Sequence, residues 1–375
     1  MSVDRGHVIS PGRVNLLGEH VDYNDGLVLP VAIDRSVNIH FRRTEEKQIT
    51  LHAHDLGEEC CIIPEKLDEK AAVDGTPLPG WALYPAGVIW NLLRYDFRIE
   101  GFTAGFRSNI PIGAGLSSSA AVEVGFAVVC AALGGWQLDR MTMARICQEA
   151  EREYVGVNCG LMDQFACACG VHNHALVLDT RSLAYRSIPL PPDTSIVIAD
   201  SSMRRSLVTS AYNDRRRDCE AAVAYFHAID PSIRALRDVT PQWFLTAENE
   251  LPAGIFRHAR HVVEEIARVD EAIRLLEKND SRGFGRLMYQ THTSLRDLYE
   301  VSSPELDILV EGAASFEGCL GARLTGAGFA GCTVNLVRSD CVDRFIRQLE
   351  TDYSSKTGLQ AAIFATHPVD GAHLS

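Results

Sequence analysis

The chain is 375 residues long, 46% of them apolar and 23% charged, with 36 basic against 49 acidic side chains and a net charge of −13. That length suffices for two domains, each with its own core. The acidic balance and the lack of a long Lys/Arg run argue against nucleic acid or an anionic membrane surface as partner. An anionic substrate remains compatible, because a few cations and backbone amides can hold a phosphate locally.

Met1 to Ser10 has one Arg, one Asp and no apolar core, so no secretory signal is expected there. From Val8 to about His54 the pattern predicts strands and turns, with Asn24-Asp25-Gly26 as a turn before Leu27-Val28-Leu29. Asp55 to Pro79 reads as irregular, charged surface loop. A helix is expected around Trp81 to Leu93 and a strand near Phe102 to Phe106. Gly113-Ala114-Gly115-Leu116-Ser117-Ser118-Ser119 then opens an apolar helix to about Leu133, with serines supplying the N-cap. The stretch Ala120 to Trp136 is the most apolar, yet it contains Glu123 and glycines and is too short to span a bilayer comfortably. It reads as a buried helix.

A second helix is expected from Thr142 to Tyr154, then strands near Ala175 to Leu178 and Ser195 to Ala199. Pro191-Pro192-Asp193 between them marks the expected boundary, giving domains 1–195 and 196–375. Helices follow near Ser210–His227, His261–Glu277 and Leu306–Phe316, then a strand from Cys332 to Val337 behind a glycine loop. Helices and strands mixed without regular βαβ alternation predict α+β layers in both domains. The eleven cysteines form no C-x-x-C pair, which predicts reduced thiols in a cytoplasmic protein.

Four segments concentrate residues able to do chemistry. Pro11-Gly12-Arg13-Val14-Asn15-Leu16-Leu17-Gly18-Glu19-His20-Val21-Asp22-Tyr23 sets carboxylates, an imidazole and a guanidinium beside glycines that permit tight turns. Such a set can discriminate one hexose epimer from another; a charged turn after an edge strand is the other reading. Pro111 to Ala120 offers glycines and a helix start to an anion, without the Gly-Lys-Ser/Thr of a P-loop. Cys159-Gly160-Leu161-Met162-Asp163-Gln164-Phe165 contains a lone carboxylate that needs a partner if buried, and Arg13 is the natural one. Whether that aspartate is structural or catalytic stays open at this point. In Leu324 to Cys332 the three glycines formally match a dinucleotide fingerprint, but too little chain follows for a Rossmann domain. A tight loop packed on the phosphate site accounts for it better.

In order and separation, these segments resemble the galactokinases of the GHMP small-molecule kinase superfamily. The resemblance implies a two-domain α+β GHMP kinase fold with the active site between a ribosomal-protein-like N-terminal domain and a ferredoxin-like C-terminal domain. It implies ATP-dependent phosphorylation of galactose at the C1 hydroxyl. Asp163 matches the catalytic carboxylate and Arg13 its partner. Glu19, His20, Asp22, Gly160 and Tyr212 match the sugar contacts. Gly113, Ala114, Gly115, Leu116, Ser117 and Ser118 match the phosphate-binding loop, and Trp81 the aromatic beside adenine. Ser119 and Glu151 match the groups that hold Mg²⁺.

Two positions depart from the pattern. Val21 stands where many members have Thr, and Ala330 where many have Gly. Neighbouring expectations are a sister kinase for N-acetylgalactosamine, galacturonate or arabinose, and a non-catalytic galactose sensor. The intact Ser117 to Ala120 favours an enzyme, and a monomer or homodimer is expected.

Overall fold

Residues 2–204 and 208–375 are described in the computed structural model of the chain. The opening strands are β1 (Arg5–Asn15), β2 (Leu27–Val28), β3 (Pro30–Arg43), β4 (Ile49–Ala53) and β5 (Glu58–Ile62). In β3 the buried Val37, Ile39 and Phe41 alternate with Asn38, His40 and Arg42, the period-two pattern of a strand with one covered face. Helix α1 (Leu83–Arg94), strand β6 (Phe102–Ser108) and helices α2 (Ser118–Gly134), α3 (Arg140–Glu149) and α4 (Met162–Cys169) follow. Helix α3 runs on into a wider π turn at Ala150–Val155. Strands β7 (His174–Asp179), β8 (Tyr185–Pro189) and β9 (Thr194–Asp200) come next.

The second half begins with α5 (Val208–Ile229), α6 (Pro241–Leu245), α7 (Ala253–Glu277), α8 (Ser281–Asp297) and α9 (Pro304–Ala314). It closes with β10 (Cys319–Thr325), β11 (Cys332–Arg338), α10 (Val342–Thr357), β12 (Ala362–Thr366) and β13 (His373–Leu374).

These strands make a six-stranded sheet in the order β13-β1-β3-β6-β4-β5, a four-stranded sheet β10-β11-β9-β12 and a three-stranded sheet β2-β7-β8. Helix α2 lies against β1 and β3, with α1, α3 and α4 packed around it. The four-stranded sheet is antiparallel and is covered by α8, α9 and α10. Strand β9 opens that sheet directly after the Pro191-Pro192-Asp193 stretch, while β13 returns to pair with β1.

Several elements were hidden in the sequence. Strand β5 lies inside the expected loop: its Cys60 and Ile62 are buried and its Glu58 and Glu59 are exposed. The flanking charges mask that short alternation. Helix α8 contains Gly283 and Gly285, poor helix formers that conceal its periodicity. Its start is fixed by Asp280, whose side chain accepts from the Gly283 amide. No helix among the described residues is long and apolar enough to cross a membrane. All eleven cysteines are free.

Candidate functional site

A β-bulge begins the site. The pairing of β1 with β3 shifts register between Pro11 and Arg13, and the intervening Gly12 sits against the Leu116 carbonyl. A bulge re-aims the side chain that follows it. Here Arg13 is turned inward, nearly buried, with its amide bonded to the Leu116 carbonyl at 3.2 Å. Its Nη1 donates to the Gly115 carbonyl at 2.6 Å, so β1 and the glycine loop are tied through one residue.

Arg13 Nε and Nη2 both reach Asp163 Oδ1, at 2.9 and 2.7 Å. Asp163 stands in the first turn of α4, and its other oxygen accepts from the Ser117 hydroxyl at 2.5 Å. Burial works against the Arg13 charge, but Asp163 and then Glu19 hold its guanidinium above the usual range. The serine at the head of α2 therefore departs from expectation. Ser117 adopts a left-handed backbone (φ 59°) and makes no side-chain cap. Its hydroxyl serves Asp163 instead.

Asp163, Arg13, Glu19, His20, Asp22, Glu151, Gly160 and Tyr212 line one cavity of about 240 Å³. Asp22 begins a short 3₁₀ turn, Asp22–Asn24, that ends on the expected Asp25-Gly26 turn. Burial, then the charges of Asp163 and Glu19, push its carboxyl up to about 7. Its Oδ2 lies so close to Gly160 that a Cβ there would meet it at 1.7 Å. Only glycine admits that approach.

Glu19 and His20 are held more tightly than their sequence suggests. Glu19 Oε1 accepts from Arg323 Nη2 at 2.9 Å, the Thr325 hydroxyl at 3.1 Å and the Gly326 amide at 2.9 Å. Burial opposes the Glu19 charge, but Arg323 and Arg13 keep the carboxyl below its usual range. Fully buried Arg323 also donates to the carbonyls of Asn15 and Leu16, at 2.5 and 2.7 Å. His20 has a positive φ of 60°, and burial lowers its imidazole to about 4. Both ring nitrogens are occupied, Nδ1 by the Tyr23 hydroxyl at 2.8 Å and Nε2 by the Ala327 carbonyl at 3.3 Å. The Tyr212 ring stands 5.5 Å from the His20 ring.

Glu151, in the π turn, is also buried, which raises its carboxyl; Cys159, Gln164 and Ser119 hydrogen bond to it. Gln164 Nε2 bridges Glu151 Oε2 (2.6 Å) and Glu123 Oε2 (2.9 Å), and Glu123 is fully buried within α2. No group of three or more metal-binding His, Cys, Asp or Glu side chains exists among the described residues. One carboxylate beside one serine hydroxyl still suits Mg²⁺, which keeps waters and substrate phosphates as its other ligands.

The glycine loop splits into two kinds of residue. Gly113 and Gly115 are exposed, whereas the Ala114 and Leu116 side chains are buried, leaving these two only their backbone for a ligand. The later loop packs on it: Gly326 (φ 80°) lies so near that a Cβ would meet the Gly115 carbonyl at 3.2 Å. Ala330 in that loop is buried, and Val21 is fully buried. Trp81 is not on the cavity wall; its Nε1 donates to Glu58 at 2.6 Å and its ring lies 5.8 Å from Phe106.

Sequence reasoning missed Arg323, Arg204, Asn158 and Asn213. Arg204 forks onto Asp200 at 2.7 and 2.8 Å and donates to the Ile112 carbonyl at 2.9 Å, beside Gly113. Asn158 and Asn213 line the cavity. The signal for Arg323 was a lone cation inside an apolar run ahead of the glycine loop.

Comparisons with known proteins show the family and the fold. Three family models match: the galactokinase galactose-binding signature over residues 2–43, the GHMP kinases N-terminal domain over 84–171 and the GHMP kinases C-terminal domain over 272–355. A galactokinase of Roseiflexus sp. strain RS-1 is 42% identical over 367 residues, covering 97% of this chain and 92% of that protein. A crystal structure of Lactococcus lactis galactokinase complexed with galactose superposes with a TM-score of 0.93 at 32% identity, covering 99% of this chain and 95% of that one. Methanococcus jannaschii mevalonate kinase shares the fold at a TM-score of 0.70 and 20% identity, covering 98% and 99% of the two chains.

Proposed function

The chain belongs to the galactokinase family, and from that premise we propose how its residues carry out phosphoryl transfer from ATP to the C1 hydroxyl of galactose. The observation that carries the proposal is Asp163, which lines the sugar-sized cavity while bonding to Arg13 and to Ser117 at the glycine loop. One carboxylate thus faces both the acceptor's cavity and the loop suited to the donor.

In this reading Asp163 takes the proton of the anomeric hydroxyl as that oxygen attacks the γ-phosphorus in line. Arg13 pairs with and orients the carboxylate and faces the charge that develops on the transferring group. The proton moves early or late along this path; both orders use the same atoms. Asp22, Gly160 and Tyr212 contact the sugar, together with the Glu19 oxygen not committed to Arg323. His20, with both nitrogens engaged, shapes the wall rather than offering a free donor. Gly113 to Ser118 receive the phosphates on backbone amides at the start of α2, and Trp81 flanks the adenine. When bound, Mg²⁺ would be held by Ser119 and Glu151 and would offset charge on the phosphate oxygens.

We take 1–195 and 196–375 as the two domains, although β9 (Thr194–Asp200) spans that boundary and β13 returns to the first sheet beside β1. A cytoplasmic location and a monomer or homodimer belong to the same proposal. ATP consumption across galactose, glucose, N-acetylgalactosamine, arabinose and galacturonate tests it. Galactose should be turned over best and glucose should fall by roughly ten- to a hundredfold in kcat/KM, because its C4 epimer leaves a site group unpaired. A flat trace on every sugar, with galactose still raising the melting temperature, would instead make the chain a sensor.

A further inference from the structure

A second cavity, of about 220 Å³, lies behind the sugar wall and is lined by Arg145, Gln148, Arg152, Arg216, Asp22 and Gly160 among others. Arg145, Gln148 and Arg152 follow the three- and four-residue spacing of one helical face as α3 passes into its π turn. Arg216 approaches from α5, fixed by Glu220 at 3.1 Å, the Asn158 carbonyl at 3.4 Å and the Tyr23 ring at 5.7 Å.

The carboxylates beside this face neutralise it only in part: Glu220 pairs with Arg216 at 3.1 Å and Glu149 with Arg145 at 3.9 Å. Glu149 Oε2 accepts from the Tyr95 hydroxyl at 2.8 Å and from Asn91 at 3.3 Å, so only Oε1 is turned to Arg145, in a long ion pair. Glu153 pairs with Arg94 at 2.5 Å. Arg152 makes no ion pair or hydrogen bond with any described residue. In a chain of net charge −13, three guanidiniums converge on one small cavity with a single carboxylate, Asp22, on its wall.

We propose that this cavity binds a small phosphoryl dianion, orthophosphate or a sugar phosphate monoester, and that its occupancy weakens sugar binding across the shared Asp22–Gly160 wall. Guanidinium forks match phosphate oxygens in shape and charge, and Gln148 Nε2, which donates to the Cys159 carbonyl at 3.3 Å, has a second hydrogen to offer. Asp22 and Gly160 line both cavities, so a dianion on one side opposes the ionised Asp22 carboxylate needed on the other. The effect on the sugar rests on the sugar-site assignment above; the binding itself does not.

The test is calorimetric titration of orthophosphate and, separately, galactose 1-phosphate into protein saturated with galactose and a non-hydrolysable ATP analogue. Those ligands occupy the catalytic cavity, and chloride at matched ionic strength is the control. Both anions should bind, and Arg145→Ala/Arg152→Ala should weaken them roughly tenfold or more while kcat without added anion is unchanged. In steady-state assays, the anion should raise the galactose KM of the wild type and leave that of the double variant unmoved. If only the monoester binds, with the same loss in the variant, the occupant is the sugar phosphate; if only orthophosphate does, it is free phosphate. No binding, or binding unaltered in the variant, overturns the proposal. Binding that depends on the arginines with no change in KM keeps the anion site and overturns its link to the sugar.

Discussion

Asp22 is the side chain whose protonation should be visible in the kinetics. Its folded value of about 7 lies above the unfolded one, so the unliganded protein loses stability from this group as pH rises through that interval, with no further loss above it. On the proposed sugar assignment, hydroxyls that donate to Asp22 favour the carboxylate, so galactose binding should release a proton. The galactose KM should therefore fall as pH rises towards 7 and level off above it, by up to about tenfold per pH unit on the acid side. Steady-state profiles of wild type and Asp22→Asn decide the matter: the slope should vanish in the variant. A parallel slope in both would assign the titration to another group. At the neighbouring position, Gly160→Ala would drive a methyl into Asp22 Oδ2. A displacement of that size should raise the galactose KM by roughly ten- to a hundredfold while the ATP KM holds. Equal changes in both would mean that the loop as a whole had moved.

At the scale of elements, β10 holds the sugar-binding segment through Arg323, whose guanidinium serves two carbonyls of the β1 exit and the Glu19 carboxylate together. Removing one partner of a buried pair costs about 3–5 kcal/mol, because the other charge is left behind. Arg323→Met should thus lower stability to denaturant by that amount, and Glu19→Gln in the same chain should recover part of it. A loss below about 1 kcal/mol would mean that Glu19 finds another partner. None of this network was legible beforehand. The residues of β1 and of the loop after β10 stood out as separate polar and glycine clusters, while their joining by Arg323 depends on strands distant in sequence. The Ser117 cap failed for a related reason: local preference put its hydroxyl on α2, but the Asp163 carboxylate on α4 offers a stronger, charged acceptor.

Across the whole molecule, periodicity carried most long elements: α2 and the strand at Cys332 fall near their expected bounds, while α7 ends where expected but begins at Ala253 rather than His261. The short strand β5 and the glycine-bearing α8 escaped, since composition there argues against the state that tertiary packing imposes. The Arg13–Asp163 pairing was legible because a carboxylate in an apolar run needs a cation, and Arg13 stands in the first of the polar segments. The bulge that turns Arg13 inward was not, since it is a property of the pairing of β1 with β3. On the proposed mechanism, this pair serves the phosphoryl transfer itself. Single-turnover kinetics of Asp163→Asn test it most directly, with galactose and ATP binding measured on the same preparation. The amide keeps an acceptor for Arg13, so the variant should fold and bind both substrates within a fewfold of wild type. The transfer step should slow by roughly a hundred- to ten-thousandfold. A loss of less than about tenfold in that step, with binding intact, would contradict the catalytic role of Asp163.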